Sequence, residues 1–121
     1  MTAAADVVAV LAALVEQVRG GRSAFLMDQD GILIGQASAE RSGDLEAVAG
    51  ECSGLMREVR AVASASGWGE PRTLTLRGNG GYLVFGFGRG DLVCGLEAGQ
   101  EGIGGQLRQA VLQALDKLGS L

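Results

Sequence analysis

The sequence predicts an α/β (α+β) three-layer sandwich: a five-stranded, mainly antiparallel sheet, the longest helix on one face and two terminal helices on the other, in the order α-β-β-α-β-β-β-α. Three observations carry this. Three segments space their apolar residues at helical intervals, and five short segments are apolar throughout or alternate. The third is glycine: 21 of 121 residues, well above the usual share of about 7%. These glycines fall between the apolar runs, where they act as turns and helix ends. With 47% hydrophobic residues and no linker, repeat or low-complexity tract, one domain over residues 1–121 is expected.

The first segment carries Val7, Val8, Leu11, Leu14, Val15 and Val18 on one helical face and ends at Gly20-Gly21, a helix-closing pair. Asp6 and the lack of a basic n-region argue against a signal peptide, and the segment is too short and charged to span a bilayer. A cytoplasmic protein is the expectation. Ala24-Phe25-Leu26-Met27 and Ile32-Leu33-Ile34 are fully apolar, as strands covered on both faces are.

Between them, Asp28 and Asp30 invite a metal reading. A calcium loop starting at Asp28 needs an oxygen ligand at its fifth place, glycine at the sixth and glutamate at the twelfth. Here Ile32 holds the fifth place, Ala39 the twelfth, and Gly31 arrives at the fourth. Asp30-Gly31 between apolar runs is instead a hairpin signal, because these residues tolerate the positive φ of a tight turn. No metal site and no cofactor are expected.

Residues 44–66 are the longest helical segment, with Ser42 or Asp44 as candidate caps and Gly67 as the stop. Leu45, Val48, Cys52, Leu55, Val59 and Val62, widened by Ala49, Met56 and Ala63, form the face expected against the sheet. The opposite side holds Ala47, Gly50, Gly54, Ala61 and Ala65, bordered by Glu46, Arg57 and Arg60 on one side and Glu51 and Glu58 on the other. Alanine makes cheap helix surface, but each interior glycine costs about 1 kcal/mol relative to alanine, which favours a contact surface.

Residues 72–77, RTLTLR, alternate and suit a strand with one wet face; GNGG is a turn. YLVFGF (82–87) and LVCGL (92–96) are apolar enough to be central, and GRGD (88–91) joins them. Residues 102–118 form the last helix, its apolar side being Ile103, Leu107, Ala110, Val111, Ala114, Leu115 and Leu118.

Several chemistries are closed. The chain has no histidine, which removes Ser-His-Asp and Cys-His catalysis and histidine-ligated zinc. Cys52 and Cys94 stand alone in apolar segments and read as small buried hydrophobes in a reducing compartment. A net charge of −4 without a basic run argues against nucleic acid. There is no Walker-type phosphate loop, and GFGRG joins strands rather than opening a helix, so no nucleotide site is expected.

The strand at 72–77 has no lysine, proline or bulge to protect an edge. Pairing with its twin would satisfy that edge, so Arg72, Thr73, Leu74, Thr75, Leu76 and Arg77, with Gly50, Gly54 and Ala61 on the long helix, are the expected homodimer interface. Ala47, Glu51, Arg57, Glu58 and Arg60 are the candidate partner-binding residues. No catalytic residue is assigned.

FLMDQDGILIG after the first helix, DLEAVAGECSGL opening the long one, GGYLVFGFGRGDLVCGL as paired strands and GIGGQLRQAV opening the last helix together resemble the Roadblock/dynein-light-chain domain family, in particular its short bacterial MglB-like members. The resemblance covers essentially the whole chain. It implies a homodimer whose edge strands join into one sheet, with the long helices side by side offering a surface to Ras-like small GTPases. It further implies a GTPase-activating partner that reshapes the GTPase rather than inserting its own arginine. Arg57 and Arg60 are candidates for contact with a switch region or for an arginine finger; the reading set against both, and favoured above all over the finger, is that they are solvated partners of Glu46 and neighbouring carboxylates. Ending at Leu121, the sequence lacks the long tail of some MglB-like proteins, so a function carried there is not expected. The expectation is a non-catalytic regulator of a Ras-like GTPase, with no membrane or nucleic-acid partner. The alternative is an adaptor that dimerises and tethers partners without affecting hydrolysis, and a small-molecule sensor ranks third.

Overall fold

A computed structural model describes residues 3–39 and 45–121. Its elements are α1 (Ala3–Gln17), β1 (Gly21–Met27), β2 (Leu33–Ser38), α2 (Leu45–Ala65), β3 (Thr73–Gly78), β4 (Gly81–Phe87), β5 (Val93–Ala98) and α3 (Gly104–Gly119). This is the expected order. The strands form one sheet, β2-β1-β5-β4-β3, antiparallel at every pairing. The apolar central runs follow from that order: β5 and its neighbours β1 and β4 are flanked on both sides, whereas β2 and β3 are edges.

Two apolar layers hold the sheet. On one face α1 and α3 bury Leu11, Leu14, Val15, Leu107, Val111 and Leu118 against Leu26, Val84, Cys94 and Leu96. On the other, Leu45, Ala49, Cys52 and Met56 of α2 cover Phe25, Met27, Phe85 and Val93. Phe25 and Phe85 meet edge-to-face, centroids 6.3 Å apart at 74°, an aromatic geometry that adds about 1 kcal/mol to their burial. Gly95 lies opposite Phe25 in the register, and a Cβ there would collide with the Phe25 ring.

The turn at Asp28 answers the metal question locally. The Asp28 Oδ1 accepts from the Asp30 N–H at 2.9 Å and the Ile32 N–H at 3.1 Å. Gly31 takes φ 80° and donates its N–H to the Asp28 carbonyl at 3.1 Å. The side chain thus replaces backbone partners within its own turn. Gly67 ends α2 as expected: at φ 73° it donates to the Ser64 carbonyl, and Trp68 donates to Ala63. This pair of bonds is the Schellman closure. The candidate caps Ser42 and Asp44 lie outside the described residues.

Four details depart from expectation. Only Gly20 has positive φ after α1; Gly21 already belongs to β1, which starts before its apolar run. Strand β2 begins at Leu33 and extends to Ser38, so Ile32–Ile34 is not a strand covered on both faces. Ile32 is 62% and Ile34 46% exposed, because β2 is an edge and Ile34 is skipped at a register shift between Leu26 and Met27. Ile103 precedes α3 and is exposed. Val62 is 56% exposed, since the sheet covers only half of α2's apolar stripe.

Candidate functional site

Around the helical circumference of α2, at 100° per residue, the fully buried line is Leu45, Ala49, Cys52, Met56 and Ala63. Val48, Leu55, Val59 and Val62 lie together on one flank of that line. The first three are half-buried and Val62 is exposed. Val48 and Leu55 share the margin of the α2-side core with Leu74 and Leu83. Leu76 of β3, on the same sheet face as Leu74, is 43% exposed. The core of this face therefore runs out into solvent along α2 and β3 without a cover.

The edge backbone of β3 is regular. Phe87 donates its N–H to the Arg72 carbonyl at 3.0 Å, and the β3–β4 register continues without a shift to Gly78 and Gly81. Antiparallel pairs alternate, so Leu74 and Leu76 bond inward to β4 while the N–H and C=O of Thr73, Thr75 and Arg77 point outward. Of the predicted edge residues 72–77, Thr73, Thr75 and Arg77 thus present one open ladder, while Arg72, Leu74 and Leu76 bond inward. Their side chains divide between faces, and the Arg77 guanidinium lies 4.9 Å from the Tyr82 ring centroid.

The small residues predicted on α2 occupy its outer face, opposite the sheet. Ala47, Gly50 and Ala61 are exposed, and a Cβ at Gly50 would meet nothing within 4 Å. Glu51 and Glu58 border this face beside the apolar flank, and Arg57 borders it on the other side. Arg60 is drawn away from the group: its guanidinium sits 5.4 Å from the Phe87 centroid. Sequence reasoning put Val48, Leu55, Val59 and Val62 against the sheet; Val48 and Leu55 do pack on that core, whereas Val62 is exposed, and the width of the apolar stripe was the available signal.

The rest of the molecule offers little reactive chemistry. Both cysteines are free and buried; burial pushes the Cys94 thiol up to about 12. Burial, followed by the nearby Glu51, raises the Cys52 thiol as well. Ser23 is the buried polar side chain among the described residues, and its hydroxyl donates to Glu97 at 2.9 Å. Among the described residues no cluster of His, Cys, Asp and Glu could hold a metal ion, and no helix is long and apolar enough to cross a membrane.

Residues 7–85, more than half of the chain, match the family model of the Roadblock/LC7 domain. Among solved structures, Myxococcus xanthus MglB superposes with a TM-score of 0.87 at 21% identity, covering 96% of this chain and 86% of that one. A Roadblock/LC7 domain from Streptomyces avermitilis gives 0.84 at 18%, covering 93% and 94%. The gliding protein MglB of Thermus thermophilus gives 0.79 at 16%, covering 97% and 93%. At these identities the likeness is one of fold. A search of curated proteins returned no match.

Proposed function

The chain belongs to the Roadblock/LC7 domain family, and from that premise we propose that it is a homodimeric, non-enzymatic regulator of a Ras-like small GTPase in the cytoplasm, with one Roadblock-like domain spanning residues 1–121. The observation that carries the pairing is the open β3 ladder together with apolar side chains left in solvent on the α2 side of the sheet, Leu76 on β3 and Val62 on α2. A second copy of the chain satisfies both at once: Thr73, Thr75 and Arg77 hydrogen-bond to their twins, and the α2 flanks meet across the same two-fold axis. We assign Gly50, Gly54 and Ala61 to the partner surface rather than to the twin, because the apolar flank has more to gain from burial than a face of glycine and alanine.

That outer face of α2, with Ala47, Glu51, Arg57 and Glu58, is then the surface read by the GTPase. It bears small residues that let another backbone approach and charges at its borders that orient it. A regulator of this kind acts by stabilising one arrangement of its partner. About 3 kcal/mol of preference for the hydrolysis-competent arrangement speeds turnover roughly a hundredfold.

The test combines the purified protein with the Ras-like GTPase of the same genome, measuring binding in each nucleotide state together with GTP turnover. Preference for the GTP form with faster turnover supports regulation. Binding indifferent to the nucleotide supports the adaptor reading, and no binding removes both.

A further inference from the structure

At the end of the sheet where β3 begins and β4 ends, a cleft of about 970 Å³ opens between Arg60 on α2, segment 70–72, loop 88–92 and the last turns of α3. Its apolar floor includes Phe87, Leu92, Leu112 and Leu115, and Arg60, Arg72 and Arg89 stand around it. The cleft shares Arg72 with the predicted edge but none of the outward-pointing ladder residues Thr73, Thr75 and Arg77, and none of the small residues on the outer face of α2. We propose that it binds a short acidic segment of a partner protein, the segment's carboxylate held by Arg60 and an adjacent large apolar side chain seated on the floor.

The geometry of Arg60 carries the first half. The Arg60 Cζ lies 5.4 Å from the Phe87 ring centroid, a cation–π contact that uses none of the N–H donors as a hydrogen bond. The five N–H donors lie in the guanidinium plane and remain for an acceptor. Among the described residues no carboxylate pairs with Arg60, Arg72 or Arg89. The ring contact restrains the Arg60 side chain before anything binds, so less side-chain entropy is lost in forming a bidentate carboxylate bond.

The cleft is also locally cationic in a chain of net charge −4: three arginines against Glu70 and Asp116. Asp116 and the carbonyl end of α3 repel an anion, so the carboxylate belongs on the Arg60 and Arg72 side. A polyphosphate would meet both Glu70 and Asp116, and a bare carboxylate would leave the floor exposed. An acidic residue next to leucine, isoleucine or phenylalanine satisfies both halves. The rim is preformed, since Gly88 donates to the Leu92 carbonyl at 2.8 Å and Leu92 to Arg89 at 3.5 Å.

The experiment uses the full chain and needs no GTPase, so its outcome is separate from that of the regulator reading. Random linear peptides displayed on phage are selected on the folded protein, and the most enriched sequence is synthesised and titrated by NMR and fluorescence anisotropy. Enriched sequences should carry Asp or Glu within two positions of a large apolar residue, with shifts at the amides of Phe87, Gly88, Leu92 and Leu112. Arg60→Gln should weaken binding roughly tenfold or more, Arg60→Lys by less, and the exposed variant Arg72→Gln severalfold. Circular dichroism and melting of each variant separate lost binding from lost folding. Enrichment of basic or uncharged peptides, shifts confined to α2 or β3, affinity unchanged in folded Arg60→Gln, or no enrichment over unfolded protein would each overturn the proposal.

Discussion

The sheet has two edges, and they are built differently. On β2, Ala39 donates to the Arg22 carbonyl at 2.8 Å, which turns the backbone of Gln36 and Ser38 outward. The ladder then breaks at the register shift that skips Ile34. Gly35 lies directly beneath Val7 of α1. On β3, Thr73, Thr75 and Arg77 form an uninterrupted outward ladder; Leu76 on the same strand and Val62 on α2 are exposed. A bulge twists an edge away from pairing, whereas a regular edge beside unburied apolar surface is a template for it. Exposure alone does not mark an interface. Ile32 and Ile34 are as exposed as Leu76 and Val62, yet only the β3 edge joins apolar surface to backbone groups in register.

The largest expected effect comes from blocking one ladder and then the other. Thr75→Pro removes an outward N–H without disturbing the bonds to β4, and proline is tolerated at such positions. It should weaken self-association roughly a hundredfold, about 3 kcal/mol, with helicity retained in circular dichroism. Gln36→Pro, the same change on the other edge, should leave the mass measured by light scattering unaltered. Equal effects of the two would erase the distinction between the edges.

A smaller effect sharpens the apolar half of the comparison. Val62→Glu should reduce dimer affinity by about tenfold while shifting monomer stability by no more than about 0.5 kcal/mol, since the side chain is already mostly in water. Ile34→Glu should change neither quantity, as read by sedimentation equilibrium and urea unfolding. The smallest effect lies on the outer face of α2. Gly50→Ala, introduced into open space, should raise stability by about 0.5–1 kcal/mol and lower affinity for the GTPase. Added stability with unchanged GTPase binding would take the small-residue face out of the partner surface.

Much of this was legible in the sequence because it depends on near neighbours. The turn at Asp28 needs only a carboxylate two and four residues from the N–H groups it accepts and a glycine at positive φ. Element order and the two helix faces follow from periodicity. What sequence could not supply is which elements become neighbours. Ile32-Leu33-Ile34 has the composition of a buried strand, but its place at an edge is set by β1 pairing with β5 on its other side. The apolar stripe of α2 is wider than the sheet can cover, and only packing decides that Met56 goes under while Val62 stays out. The cleft draws on residues 60, 70–72, 87–92 and 112–120, each locally ordinary. In sequence Arg60 is one more helix-surface charge, and only packing sets Phe87 against its guanidinium.

Amide exchange at the two edges, followed residue by residue in NMR spectra of the wild-type chain at micromolar concentration and above, reads the pairing at the bonds that would make it. If a second copy joins at β3, the N–H groups of Thr73, Thr75 and Arg77 are protected, increasingly so with concentration, while those of Gln36 and Ser38 exchange at close to unstructured rates. Fast exchange at all five positions, whatever the concentration, would contradict it.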